Sequence, residues 1–291
     1  GMIGDGKFMK SFVMRVDGRL VVVKVYMKSS EEDIILKQAQ IMLYRLFENI
    51  SPTRFPSLMP YQMWIRSSSG NNNKKSMMTP IYLIRQYLSS NLYDRVLTRP
   101  FLLEIEKFWL LYQLMNCLCI CHANNVVHGD VKPENVLVTQ WNFVVLTDFA
   151  PYKPTFIPDD DPSDFQYFFD SSDRRSCYVA PERFKPSSAI SKSDKNDKSI
   201  SNGGNGPELQ TGMDVFSLGC IMAEVYLDCK SPLLDLPGML QYLYSNGEIN
   251  PAQKLDEYSS SAKSILMRVD RTTLREGVGH MTQKDPNNRF S

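Results

Sequence analysis

Apolar and polar positions along this chain change their repeat near residue 90, from the two-residue alternation of strands to the 3.6-residue repeat of helices. The run 11-SFVMRV-16, the pair Asp17-Gly18 and the run 20-LVVVKVYM-27 predict a hairpin of β-branched strands around a tight turn. Across 31–50, Ile34, Ile35, Gln38, Ile41, Met42 and Leu46 recur at helical spacing. Ser29 or Ser30 caps that helix, and acids fill its first turn, where the dipole favours them. The runs 61-YQMWIR-66 and 80-PIYLIRQYL-88 predict two more strands, separated by the polar, solvated loop 67-SSSGNNNKKS-76.

From Asn91 onward helical patterning takes over. The segment 101–125 predicts one long helix. Its apolar tract 108–127 is interrupted by Gln113, Asn116 and His122 and preceded by Glu104, Glu106 and Lys107, which marks a buried core helix and not a membrane span. Short β runs follow at 135–139 and 143–148. Residues 187–209 are rich in Ser, Asn, Lys and Gly without any period and read as a disordered insertion. Helices are predicted at 214–227 and 262–269. A β-rich small half before an α-rich large half predicts an α+β, bilobal fold with a cleft between the lobes. The expected lobes are 1–88, with a main helix at 31–49, and 89–291, with an insertion at about 186–212.

Composition narrows the class only a little. Of 291 residues, 43% are hydrophobic and 22% charged, and 33 Lys and Arg nearly balance 32 Asp and Glu. That balance excludes the basic footprint of a nucleic-acid binder. Six cysteines in so long a chain do not form a disulfide framework. Cys117, Cys119 and Cys121 lack the spacing of a zinc site and read as a buried, reduced trio in a cytosolic protein. Gly1 ahead of Met2 reads as an appended residue.

The candidate chemistry lies in 126–151. Moving a γ-phosphoryl group asks for positioning and charge stabilisation more than covalent chemistry. The parts are a lysine on the phosphates, oxygen ligands for Mg²⁺, and a carboxylate beside the acceptor hydroxyl. The segment 128-HGDVKPEN-135 keeps His, Asp and Asn in the register of a kinase catalytic loop, and 148-DFA-150 keeps Asp-Phe. Asp130 is the expected base and Lys132 the group that neutralises the moving phosphate. Asn135 and Asp148 are the expected Mg²⁺ ligands. Lys24, ending 21-VVVK-24, is placed to meet the nucleotide phosphates. Gly4 and Gly6 precede the hairpin as a nucleotide lid or, on the plainer reading, a simple turn; with Lys24 and Leu88 they make up the cofactor-binding set. Ala180-Pro181-Glu182 closes an activation segment of 148–182, Arg289 is placed to pair with Glu182, and Asp214 to anchor the catalytic-loop backbone.

Residues 128–170 and 174-RRSCYVAPERF-184 resemble more than kinases at large. With H-G-D for H-R-D, D-F-A for D-F-G and 162-PSDFQYFF-169, the chain resembles the kinase-like domain of the class III phosphatidylinositol 3-kinase regulatory subunit, the vacuolar protein sorting fifteen family. The run 84–109 is similar to the same family. The resemblance implies a Ser/Thr-kinase-like fold, ATP and Mg²⁺ at the cleft, and the lipid kinase's catalytic subunit as partner in endosomal sorting and autophagy. It implies a cytoplasmic protein peripheral to endosomal or autophagic membranes, with membrane contact only through regions or partners outside this chain. It also implies that this is an excised kinase region that stops before the last helix of such a domain. The alternative is a catalytically silent nucleotide-binding scaffold for the lipid kinase.

The departures from the kinase pattern set further expectations. Met9 stands where a third glycine would let the backbone approach phosphates. The window 36-LKQAQIMLYRLF-47 holds no acid for Lys24, so Gln38 or Gln40 substitutes, or Lys24 turns to Asp148. Gly129 removes the arginine that receives an activation-loop phosphate. Ala150 replaces a glycine that freely takes positive φ, which biases the segment by about 1–2 kcal/mol. Ser176 sits two residues before Tyr178, leaving peptide selection open. Arg85 stands either behind the adenine or out in solvent. His128 is expected to be a structural strut, and Asp159, Asp160 and Asp161 a solvated loop.

Overall fold

The computed structural model describes residues 1–5, 9–28, 53–66, 79–150, 153–169, 175–190, 209–245, 249–256 and 271–289. The expected helices at 31–49 and 262–269, the loop 67–76, Gly6 and most of the insertion lie outside these residues.

The N-terminal region is an antiparallel sheet of five strands, β1 (Met2–Asp5), β2 (Lys10–Val16), β3 (Arg19–Lys28), β5 (Met63–Arg66) and β6 (Thr79–Gln86), in the order β1-β2-β3-β6-β5. The predicted hairpin is β2–β3. Its turn residues Asp17 and Gly18 both take positive φ, 47° and 77°, the geometry whose twist matches the flanking strands. Gly4 lies in β1 opposite Ser11. On β3 and β6 the cross-strand pairs are Lys24 with Leu83 and Val22 with Arg85. Directly paired residues share a face, as do positions two apart, so Val22, Lys24, Leu83 and Arg85 lie on one side of the sheet.

The larger body is helical. Helix α1 (Leu92–Leu97) is capped by Asn91, whose side chain accepts from the Asp94 amide at 2.9 Å. Helix α2 (Glu104–Ala123) buries Leu110, Leu111, Leu114, Cys117, Leu118 and Cys121. Ile105, Phe108, Trp109, Tyr112 and Met115 remain exposed on its other side. Cys119 is exposed as well, so the expected buried trio is a buried pair. Two residues turn a helix by about 200°, which carries Cys119 away from the face of Cys117 and Cys121. All six cysteines are free.

After the short helix α3 (Ser163–Phe168), helix α4 (Thr211–Tyr226) runs through the core with nearly every side chain buried. Helices α5 (Leu236–Tyr244) and α6 (Arg271–Met281) follow. A Cβ at Gly219 of α4 would lie 2.7 Å from the Met281 Cβ and 2.9 Å from Thr282 Cγ2, so that close crossing needs glycine. Strands β7 (Val136–Val138) and β8 (Val144–Thr147) form a buried antiparallel pair, which β4 (Leu58–Met59) joins in parallel. Leu58 thereby enters the core of the larger body. Strands β9 (Ile157–Pro158) and β10 (Phe184–Lys185) pair across the activation segment. No helix among the described residues is long and apolar enough to cross a membrane.

Candidate active site

Lys24 and Arg85 converge on one carboxylate because the strand register puts them on the same sheet face. Lys24 Nζ lies 2.8 Å from Asp148 Oδ2. Arg85 grips the same carboxylate with two donors, Nε to Oδ1 at 2.8 Å and Nη2 to Oδ2 at 3.1 Å. Nη1 donates to the Gln86 carbonyl at 3.1 Å. Arg85 is only 6% exposed, which settles its two readings in favour of the inward one. Burial works to raise the Asp148 carboxyl, but Lys24 and Arg85 outweigh it and hold the group well below the usual carboxylate range. The expectation that Lys24 turns to Asp148 is met.

The catalytic loop is hung from Asp214 on α4. Its Oδ2 accepts from the His128 amide at 2.8 Å and its Oδ1 from the Gly129 amide at 3.0 Å, while His122 Nε2 lies 3.0 Å from Oδ2. His128 is fully buried, and burial pushes its pKa down, so the ring is neutral. Its Nδ1 accepts from the Asp130 amide at 3.2 Å, which leaves Nε2–H to donate to the Thr147 carbonyl at 2.8 Å. The ring also packs on Phe149, centroids 4.5 Å apart. His128 is thus the strut expected of it, joining the catalytic loop to the strand that delivers Asp148.

Asp130 is crowded by donors. Asn135 Nδ2 reaches its backbone oxygen at 2.8 Å and its Oδ2 at 3.1 Å. Lys132 Nζ lies 3.7 Å from Oδ2, and Lys153 Nζ reaches that oxygen at 2.7 Å. Burial opposes ionisation of Asp130, yet Lys132 and Lys153 keep its pKa below the ordinary value. Burial works to lower Lys132, but Asp130, Glu134 and Asp148 together outweigh it and raise the group. Lys153 goes the other way: burial pushes it down to about 7 despite Asp130. Lys153 is a site residue that sequence reading missed. Five places beyond Asp148, it carries no motif of its own.

A second missed residue is Arg183, immediately after Ala180-Pro181-Glu182. Its guanidinium donates to three backbone carbonyls, Gly129 at 2.9 Å, Thr155 at 3.0 Å and Pro154 at 2.7 Å. It also lies 4.7 Å from the Phe169 ring centre, and Lys153 Nζ lies 4.8 Å from the same ring. Gly129 takes φ of 77°. The strain expected at Ala150 falls instead on Asp148, with φ of 63°, a conformation that Asp tolerates better than most residues. Ala150 does not take positive φ, and its amide donates to the His128 carbonyl at 2.9 Å.

Glu182 and Arg289 form the expected pair, two-pronged at 2.7 and 2.8 Å. Ser176 is buried with no partner for its hydroxyl among the described residues, and it lines a small crevice with Asp130, Lys132, Tyr178, Arg183 and Ser217. Leu88 is half-buried just past β6. Among the described residues no cluster of His, Cys, Asp and Glu has the make-up of a metal site, Asp159–Asp161 included.

The donor set fits Mg²⁺ unevenly. Asn135 spends its amide hydrogens on Asp130 and leaves its carbonyl oxygen for a cation. Both Asp148 oxygens, however, are already taken by Arg85 and Lys24.

A strand lysine, an anchored H-x-D loop, a buried Asp-Phe turn and a Glu182–Arg289 latch define a protein kinase domain. The family of that description matches residues 1–291, and the chain belongs to it. Within it, the chain is 37% identical over 290 residues to the Serine/threonine-protein kinase VPS15 of Arabidopsis thaliana. It is 39% identical over 290 residues to the Probable serine/threonine-protein kinase vps15 of Dictyostelium discoideum. The VPS15 kinase of Saccharomyces cerevisiae is 33% identical over 293 residues. These alignments cover 99–100% of this chain but only 13–18% of the relatives' own length. The likeness expected from H-G-D and D-F-A is therefore met, and it reaches beyond the expected extent, which left out residues 187–212 and the first helix.

Proposed function

We propose that this chain is a Ser/Thr protein kinase domain of low intrinsic rate that uses ATP and Mg²⁺. It acts within the regulatory subunit of a class III phosphatidylinositol 3-kinase complex, in endosomal sorting and autophagy. The observation that carries the reading is a pair of linked contacts, Lys24 on Asp148 and Lys132 with Asn135 on Asp130, with Lys132 in electrostatic reach of both acids.

In this reading Lys24 holds the nucleotide phosphates, and Asp130 orients the acceptor hydroxyl and takes its proton. Lys132 neutralises the phosphoryl group as it moves. Asn135, and Asp148 once Arg85 releases it, would hold Mg²⁺, which would supply charge neutralisation on the phosphates. Gly4 and Gly6 belong to the lid over them, and Leu88 to the wall of the nucleotide site. The low rate follows from two occupied groups, Asp130 under Lys153 and Asp148 under Arg85. The lipid-kinase partner and a cytoplasmic, membrane-peripheral location are supported by the VPS15 name that the relatives carry.

The grip of Arg85 on Asp148 also favours a second reading, a nucleotide-binding scaffold that transfers no phosphate. Incubation with γ-labelled ATP and MgCl₂ separates the two. Slow labelling of Ser or Thr that Asp148→Ala and Asp130→Asn abolish supports the kinase. Thermal stabilisation by nucleotide with no label at high protein concentration supports the scaffold.

A further inference from the structure

Four cationic side chains crowd two carboxylates here. Lys24 and Arg85 share Asp148, while Lys132 and Lys153 share Asp130. At Asp148 itself the balance is two cations, Lys24 and Arg85, on one carboxylate, a local surplus of positive charge in a poorly solvated place. A divalent cation entering at Asp148 meets that surplus and has to displace a two-pronged, charge-assisted pair. Mg²⁺ in particular sheds its water reluctantly and holds strictly to octahedral oxygen ligation, and at Asp148 it would compete with a guanidinium and an ammonium already on the carboxylate. A polyphosphate meets the opposite balance.

Arg85 has donors left for it. A guanidinium carries five N–H groups. Three are placed, two on Asp148 and one on the Gln86 carbonyl, so two remain without an acceptor among the described residues. They sit beside Lys24, the strand lysine of the phosphate site, on the same sheet face.

We propose that Arg85 stands in for the divalent cation at Asp148, so that the cleft captures a nucleoside polyphosphate in its metal-free form and Mg²⁺ competes with Arg85 for the carboxylate. The inference rests on the nucleotide-binding reading given above. Mg²⁺ enters only once the guanidinium withdraws, which separates nucleotide capture from phosphoryl transfer.

Equilibrium binding of a fluorescent ATP analogue, with unlabelled ATP as competitor and thermal shift alongside, tests this in EDTA and in MgCl₂. The wild-type chain is expected to bind with affinities within about threefold of each other in the two buffers. Arg85→Met is expected to weaken binding in EDTA by about tenfold or more, the scale of one lost charge-assisted contact, with recovery in MgCl₂. Arg85→Lys, which keeps the charge but not the fork, falls between. Wild-type binding that requires MgCl₂ would overturn the inference alone. So would an Arg85→Met variant as indifferent to metal as wild type. Binding in neither buffer, by a protein with a normal melting transition, would overturn the nucleotide reading along with it. Should Arg85→Met fail to fold, the wild-type comparison and Arg85→Lys still decide.

Discussion

Arg183 Nη1 donates to the carbonyl oxygen of Gly129 at 2.9 Å, so the residue that directly follows the activation segment holds the catalytic loop where an arginine is missing. The same guanidinium holds Thr155 and Pro154, on the activation segment itself. Anchorage that kinases with an arginine at position 129 obtain through a phosphate is here built from backbone acceptors. Arg183→Met is expected to cost about 3 kcal/mol, the scale for stranding buried acceptors, measured by urea unfolding. Gly129→Arg is not expected to rescue it, since φ of 77° penalises a side chain and the Cβ would lie 2.6 Å from Leu209 Cδ1. Phosphatase treatment should leave the activity and the melting temperature unchanged. A large loss on dephosphorylation would contradict this account.

Asp148 sets the acid limit of stability. Its folded pKa is depressed, so its contribution is complete above the unfolded value of about 3.9 and is lost as pH falls below it. Asp130 adds in the same direction. Asp148→Asn leaves the buried Arg85 and the half-buried Lys24 without their carboxylate. It is expected to lower stability at neutral pH by about 3–5 kcal/mol and to flatten the acid side of the pH profile. Unfolding free energies between pH 3 and 7 check both effects.

Lys153 acts at the other end of the scale. Its folded value of about 7 lies below the roughly 10.4 of an unfolded lysine. Between those values the unfolded chain binds the extra proton, so stability rises with pH across that window. Lys153→Met is expected to remove this slope. It also removes the shortest of the three contacts on Asp130 Oδ2, and self-phosphorylation at pH 7 should rise severalfold. An unchanged rate would mean that the ammonium does not obstruct the acceptor.

The Glu182–Arg289 latch is buried on the arginine side. Arg289→Met is expected to cost about 3–5 kcal/mol by stranding Glu182 and several carbonyls. Because the partners act together, adding Glu182→Gln should cost less than the sum of the single changes in a double-mutant cycle.

What the sequence declared was local. The Asp17-Gly18 turn, the H-G-D and D-F-A signatures and the absence of an acid across 36–47 are each contained in a short window. Arg85 stayed ambiguous because a one-residue slip in strand register turns every side chain to the other face, and only the pairing of β3 with β6 fixes it. Lys153 and Arg183 were invisible because their partners lie 23 to 54 residues away, along the path of the activation segment. Helix α6 was missed since Gly277 and Gly279 disfavour a helix. It forms because Val278 and Met281 are buried in the core, and packing overrides propensity.

Lys24 and Arg85 project from adjacent strands of a single hydrogen-bonded sheet, whereas Asp148 belongs to the helical body. Any hinge-like displacement of that sheet as a rigid piece would withdraw both cations in one stroke. The carboxylate is then either doubly clasped or wholly released, and a gradual opening of the cleft would be felt at Asp148 as an all-or-none event.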